Sequence, residues 1–447
     1  MPEISGQGQR KLLESKACIY GENVKEIMPL VLYLSAMGIG NIYCSIKDES
    51  TCNELFSNVM DLNDDIKIEL IKDKIVEPDF RIVLGSCIFI KETVKAFVGK
   101  FTPTILATYN QWKAILRVFI ESHELYNFIQ LLNNDQENNL TVPFIWALVG
   151  SISSIEGVKL CLNIGSISKD ILMIDMLNMV VDYYNNEESP KAVNCLVKTE
   201  NFNYVSIEEK LSHSKILIIG AGGLGSPSSL ALTMAGIGTI GLVDSDCVEV
   251  SNLNRQILHS ISRIGMPKAE SAKYFLKKVN PQLTVNTYIE NLNKENVNSI
   301  IGSYDLVISA VDNIQTRYLI NDACYFANKP VIEAGVLRFD GTNTTIIPKE
   351  GHCYRCLYPS LSASGMSCAE TGVLGSVPGV MGFIQAAEAY KILTGIGTVL
   401  MNKILLYDGL EMEFNVIDLE RNPQCPICGK EPTITKLQDY TLKCSDD

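Results

Sequence analysis

The chain has 447 residues, a formal charge of −13, and 47% hydrophobic against 20% charged residues. That apolar fraction supports sizeable cores in two to three domains and excludes wholesale disorder. The acidic balance disfavours nucleic acid or an anionic membrane surface as the main partner. No apolar run approaches about 18 residues, so no membrane span is expected. The polar start, MPEISGQGQRKLLESK, is not a secretory signal, and a cytoplasmic protein is expected. In that reducing compartment, closely paired members of the 14 cysteines bind metal or do chemistry more often than they form disulfides.

In chain order, the first predicted unit is Lys16 to Ile42: a short apolar strand, a turn at Gly21, a helix and a Gly-Ile-Gly stop. LATYNQW (Leu106 to Trp112) follows. Val149 to Gly165 is then a helix before a strand ending at Asp175. Asn185 to Asn203, with Glu187, Glu188, Ser189 and Pro190, is a polar join. The pattern then returns. Lys215 to Ile240 repeats the strand, a turn at Gly220, the helix and the stop. ISAVDNIQ (Ile308 to Gln315) answers LATYNQW and sets Asp312 where the first stretch has Tyr109. Leu374 to Gly397 answers Val149 to Gly165, with Glu388 and Lys391 matching Glu156 and Lys159, before a strand ending at Asp408. The expected fold is α/β: tandem Rossmann-like units with mostly parallel sheets, residues 1–195 and 205–447.

The units differ where chemistry would sit. Gly220, Gly222, Gly223 and Gly225 lie between an apolar strand and a helix, so the backbone can approach a polyphosphate at a helix N-terminus. The first unit has Gly21 followed by Glu22, Asn23, Val24, Lys25 and Glu26, and a phosphate beside those acids is unfavourable. Asp244 lies 19 residues after Gly225, at the spacing of a ribose-binding carboxylate, which suits NAD(P) and ATP alike. Asn252, Arg255 and Lys268 follow. Two cations near the turn favour a triphosphate, and Asp312 at a strand end is placed to hold Mg2+. The first unit has nothing like DSDCVEVSNLNRQ (Asp244 to Gln256). One unit is read as active and the other as a scaffold.

GAGGLGS, VDSDCVEVSNLNRQILH, IGMPKAESA, SAVDN and two Cys-x-x-Cys pairs together resemble the ThiF/MoeB/HesA family, the adenylating core shared with ubiquitin-activating enzymes. The resemblance covers essentially all of the second unit. The first looks like a degenerate copy, so the whole chain is similar to an active/inactive pseudodimer in one polypeptide, with further homodimerisation open. It implies that the C-terminal carboxylate of a ubiquitin-like protein, sulfur carrier or precursor peptide attacks the α-phosphorus of ATP. An acyl-adenylate and pyrophosphate result. Asp244 would bind ribose, Asn252, Arg255 and Lys268 phosphates, and Asp312 Mg2+. Family members usually begin with an R-Y-x-R-Q-like segment whose Arg reaches the partner subunit's ATP. This chain shows none, and Arg10 and Lys11 are the candidates to stand in. A peptide natural-product enzyme, a non-catalytic peptide-binding scaffold and an NAD(P) oxidoreductase are the competing readings.

Cys353-x-x-Cys356 and Cys425-x-x-Cys428, in GHCYRC and NPQCPICG, read as a four-thiolate structural zinc site. Its zinc would tie two segments 68 residues apart, confined to the second unit. Cys368, in GMSCAETGVLGS, is a candidate nucleophile, since family members can carry a thioester- or persulfide-forming cysteine here. The stretch before it, SLSASGMS, reads as a crossover loop able to close over a substrate tail. The remaining nine cysteines are expected in the core, and His259 is expected to be structural.

Overall fold

The computed structural model describes residues 3–71, 76–97, 99–132, 141–359, 372–438 and 440. The first half builds one eight-stranded sheet from β1 (Lys16–Asn23), β2 (Asn41–Asp48), β3 (Lys67–Leu70), β4 (Phe80–Gly85), β5 (Thr104–Asn110), β6 (Lys113–Phe119), β7 (Ile171–Asp175) and β8 (Val180–Tyr184). The second half builds another from β9 (Lys215–Ile219), β10 (Thr239–Val243), β11 (Thr284–Tyr288), β12 (Leu306–Ser309), β13 (Val331–Leu337), β14 (Asp340–Ile346), β15 (Lys403–Asp408) and β16 (Glu413–Asp418). The orders are the same: β3-β2-β1-β4-β5-β6-β7-β8 and β11-β10-β9-β12-β13-β14-β15-β16. In each, the first five strands run parallel and the last three add antiparallel. The α/β architecture with two mostly parallel sheets is therefore as expected. The central parallel strands are continuous apolar runs, such as ILII in β9, because both faces are covered by helices.

The helices Pro143–Leu162 and Val377–Thr394 pack against each other and join the halves; the first also packs on Val24–Ala36 and the second on Gly225–Met234. One apolar cluster runs through both halves. At its centre Trp112, Phe144 and Tyr390 meet with ring centroids 5.2–5.8 Å apart. Both long helices are apolar all round, as helices buried on every side must be. Pro143–Leu162 is long and apolar enough to cross a membrane by length and composition alone, although Glu156 and Lys159 interrupt its apolar run. Here it is buried in protein and carries a buried ion pair.

That pair is one of two. Lys159 Nζ lies 2.9 Å from Glu156, and Lys391 Nζ lies 2.6 Å from Glu388, all four side chains being fully buried. The lysines then cross between halves. Lys159 donates to the Gly409 carbonyl at 3.3 Å, after β15, and Lys391 to the Met176 carbonyl at 2.9 Å, after β7. Backbone bonds are exchanged the same way: Ser166 N to Leu410 O and Thr398 N to Leu177 O. The matched Glu-Lys pairs of the sequence thus make reciprocal contacts between the two halves.

Three expectations are corrected. LATYNQW does not answer ISAVDNIQ. Leu106 to Trp112 lies largely on β5, which takes the place of β13, whereas Asp312 follows β12, whose counterpart is β4. Asn313 and Ser86 each cap the next helix, so Asp312 corresponds to Gly85 and not to Tyr109. The polar join also contains a helix, Ser189–Val197, started by Pro190 in its first turn. Finally, Cys18, Cys44, Cys52, Cys87, Cys161 and Cys324 are buried as expected, but Cys195 is half-buried and Cys247 is exposed. Cys444 lies outside the described residues.

Candidate nucleotide site

The second sheet changes direction between β9 and β12, and ligands of such sheets bind beyond the strand ends at that crevice. A cavity of about 510 Å3 lies there, lined by Gly220, Gly222, Gly223, Asp244, Arg255, Lys268 and Asp312 among others. Seven of the sequence candidates therefore meet in one place. Gly220 has φ +100°, and a Cβ there would come 2.5 Å from the Ala310 carbonyl, so only glycine serves. Gly225 does not line the cavity. It starts the helix Gly225–Met234, where a Cβ would lie 1.9 Å from the Gly220 carbonyl, and it lets helix and strand close up. Asn252 also stands behind the wall. Its Oδ1 accepts from the Glu249 amide at 3.2 Å in a reciprocal cap of the short helix Val250–Asn252.

The charged groups are held in place. Asp244 Oδ2 accepts from the Ala221 amide at 2.7 Å and Oδ1 from the Asp246 amide at 2.9 Å. Burial pushes its carboxyl above the usual range, and those amides oppose the rise. A carboxylate offers about four acceptor positions, so two remain for a ligand. Lys268 Nζ pairs with Asp246 at 2.8 Å; its side chain is 9% exposed and that of Asp246 66%. Arg255 Nη1 donates to the Ser251 carbonyl at 3.1 Å and to Asn254 Oδ1 at 2.8 Å. Asp312 is exposed at the mouth. His259 is buried behind the turn. Its Nε2 bonds the Ala221 carbonyl at 2.8 Å and its Nδ1 meets Ser271 Oγ at 2.9 Å. The carbonyl can only accept, which fixes the proton on Nε2. Burial pulls its pKa down to about 4, so it is a neutral brace for the glycine turn, as expected.

Gln256, Arg317 and Asp340 line the cavity without having stood out in the sequence. Gln256 is buried, and its Oε1 has no hydrogen-bond partner among the described residues. Arg317 donates to the Val311 carbonyl through Nε (3.1 Å) and Nη2 (2.8 Å), and Nη1 pairs with Glu333 at 2.5 Å. It therefore fixes the backbone immediately before Asp312. The available signal was its place on the first turns of the helix that follows SAVDN. Neither Arg10 nor Lys11 lines the cavity; both are exposed on the helix Ser5–Glu14.

The matching place in the first sheet is filled by the protein itself. Glu22 accepts from Ser86 N at 2.7 Å and from Ser86 Oγ at 3.1 Å. Tyr109 Oη donates to Glu26 at 2.5 Å. Burial raises the Glu26 carboxyl and the Tyr109 hydroxyl above their ordinary ranges.

Cys353, Cys356, Cys425 and Cys428 bring their four sulfurs within 4.8 Å of one another. Zn–S bonds of about 2.3 Å in a tetrahedron need sulfurs about 3.8 Å apart, so the cluster fits zinc. The Asn422 amide points at Cys356 Sγ from 3.4 Å. Between the first two cysteines, Arg355 makes a two-pronged bond to the buried Asp322, which also accepts from Tyr440 Oη at 2.7 Å. Cys368 and its flanking stretch lie outside the described residues.

A glycine turn at the crevice of a parallel sheet, ringed by a buried carboxylate and two cations, is the arrangement of nucleotide-binding α/β proteins. The chain belongs to the ThiF family, which it matches over residues 198–427. It is 44% identical over 244 residues to a sulfur carrier protein adenylyltransferase of Thermus thermophilus, covering 53% of this chain and 90% of that one. It is 41% identical to a SAMP-activating enzyme E1 of Haloferax volcanii, covering 53% and 88%. With the adenylyltransferase and sulfurtransferase MOCS3 of Culex quinquefasciatus it shares 42% identity, over 53% of this chain and 55% of that protein.

Proposed function

We propose that this chain adenylates the C-terminal carboxylate of a sulfur-carrier or ubiquitin-like protein with ATP, releasing pyrophosphate. The observation that carries the reading is the convergence of the glycine turn, Asp244, Arg255, Lys268 and Asp312 on one cavity of nucleotide size. The likeness to named adenylyltransferases supports it. In this reading the turn at Gly222 and Gly223 receives the polyphosphate, and the two remaining acceptor positions of Asp244 take ribose hydroxyls. Arg255 and Lys268 offset phosphate charge, Lys268 by leaving Asp246. Asp312 would hold Mg2+, which when bound neutralises phosphate charge. The carrier's carboxylate oxygen bonds to the α-phosphorus as the bond to the bridging oxygen breaks, and that electron pair leaves with pyrophosphate. Positioning and charge neutralisation suffice for such a transfer.

The first half serves in this proposal as a degenerate adenylation domain that holds no nucleotide, because it has neither the glycine turn nor a counterpart of Asp244 to Gln256, and Glu22 and Glu26 add repulsion. The halves then form an intramolecular pseudodimer in the cytoplasm, and the four cysteines hold a structural zinc. ATP–pyrophosphate exchange tests the central claim. Exchange should require the cognate C-terminus and be lost in Asp312→Ala. Exchange supported by a short precursor peptide and by no carrier protein would move the substrate to peptide maturation. No exchange with any carrier or peptide, with Asp312→Ala indistinguishable from the parent, overturns the reading.

A further inference from the structure

The turn between β13 and β14 has two residues, Arg338 and Phe339, between the paired Leu337 and Asp340. Leu337, Asp340 and Val373 all line the nucleotide cavity, so Arg338 stands at its rim. Arg338 has φ +55°, in the left-handed region. Tight hairpins fill such positions with Gly, Asn or Asp, and a larger residue there is strained. Its backbone is also fastened: its amide donates to the Gly372 carbonyl at 3.2 Å and its carbonyl accepts from Leu374 at 2.9 Å. A long cation is thus held at the cavity rim in a place where glycine would be easier.

Its partner is a carboxylate from the other half of the molecule. Arg338 Nη2 bonds Glu3 Oε1, while Glu3 Oε2 is buried without a partner among the described residues. The pair is partly open to solvent, Arg338 being 39% and Glu3 25% exposed, so it is worth little and can exchange. The other cations of the site are tied to the walls themselves: Lys268 to Asp246, Arg317 to Glu333 and the Val311 carbonyl, Arg255 to Ser251 and Asn254. Glu3 lies on the segment leading into the helix Ser5–Glu14 and can leave without moving a wall residue. A guanidinium binds a carboxylate well, and the adenylation reading supplies one that must enter here.

We infer that Arg338 is the seat of the substrate's C-terminal carboxylate, and that Glu3 competes with it for the guanidinium. One carboxylate oxygen rests on Arg338 and the other faces the α-phosphorus. Arg338 selects a free C-terminus, and Glu3 lowers affinity for weak acyl substrates. This inference rests on the proposed adenylation.

The test uses the full chain, the Thermus thermophilus sulfur-carrier protein, and the same carrier semisynthesised with a C-terminal amide. Calorimetry should show the free carboxylate binding at least tenfold tighter than the amide. Arg338→Gly keeps the turn, since glycine favours its φ, so its melting temperature should not fall. It should reduce the preference below twofold and leave ATP affinity within twofold. Glu3→Gln should tighten binding of the free carboxylate at least threefold and leave the amide unchanged. A preference that survives Arg338→Gly, or a loss that falls on ATP instead, overturns the inference, and Glu3→Gln without effect overturns the role of Glu3. If the parent chain performs exchange with this carrier, the adenylation reading stands through either of those failures. A parent chain that binds neither carrier overturns the inference, and absence of exchange with every carrier and peptide overturns the underlying reading.

Discussion

Replacing Lys268 by Met separates a stabilising role from a catalytic one. The Lys268–Asp246 pair is 2.8 Å long, but the aspartate side chain is 66% exposed. Water screens such a pair, which is worth about 0–1 kcal/mol. The lysine stem is buried, and Met keeps most of its apolar contact. The melting temperature should therefore move by only a few degrees. The same ammonium facing a polyphosphate in a narrow site should matter far more. Loss of one preorganised charge-stabilising group typically costs about 100- to 1,000-fold, or roughly 3–4 kcal/mol of transition-state stabilisation. Carrier-dependent ATP–pyrophosphate exchange, measured as kcat/KM for ATP, should fall by that factor in Lys268→Met. The companion change, Asp246→Asn, frees the ammonium and should tighten ATP by up to about fivefold, the affinity equivalent of about 1 kcal/mol. A loss under tenfold in Lys268→Met, or weaker ATP binding in Asp246→Asn, would refute the assignment of Lys268 to the phosphates.

Metal analysis should find one zinc per chain, lost in Cys425→Ser together with several kcal/mol of stability, because closing the site is part of folding. His259 has a depressed folded pKa of about 4 against an ordinary 6.5, so its contribution is present above pH 6.5 and lost as pH falls toward 4. That amounts to about 3 kcal/mol, and His259→Asn should flatten that part of a stability–pH curve from urea unfolding. Lys159→Met and Lys391→Met each strand a buried glutamate and should each cost about 3–5 kcal/mol. Pairing Lys159→Met with Glu156→Gln should recover much of it. Costs differing by more than about 2 kcal/mol would contradict the equivalence of the two pairs. Calorimetry should count one ATP per chain, and Glu22→Ala with Glu26→Ala should not add a second.

What could be read from the sequence was chemistry carried by local context. The glycine turn is legible because it falls between an apolar run and a helix, and Asp244 because its spacing follows from the next strand. The four clustered cysteines are legible as two Cys-x-x-Cys knuckles, although their meeting is a tertiary event. Glu156 and Lys159 betrayed the repeat because a buried i,i+3 ion pair is rare in an apolar helix. The failures share one cause. β4, FRIVLG, ends without a chemically marked residue, so LATYNQW on β5 is the better pattern match to SAVDN and sets Tyr109 one strand from its true counterpart. Tyr109 nevertheless reaches Glu26 from β5, which no alignment could show. Arg317, Gln256 and Arg338 matter through what other segments bring beside them. Asn252 reads as a phosphate ligand, yet here it caps a turn, and one side chain in a motif can serve either end.

The first half keeps a structural task that needs no nucleotide of its own. The helix Val377–Thr394 presents Pro378 to the cavity, where it stands over Gly223 of the turn. From behind, Tyr33 of the first half presses on Gly379, where a Cβ would come within 2.5 Å of its ring. Met37 lies beside Gly375, and Ser154 bonds Ser376 at 2.6 Å. The start of that helix is therefore wedged between the glycine turn and the first half, with the reciprocal lysine contacts fixing its far end. Protein interiors transmit such displacements because they are close-packed. Enlarging Gly379 to Ala should push Pro378 toward Gly223 and weaken ATP binding although residue 379 is absent from the cavity lining. In the proposed reading a first half without phosphate-binding features still serves the site, because it backs the wall that Pro378 forms.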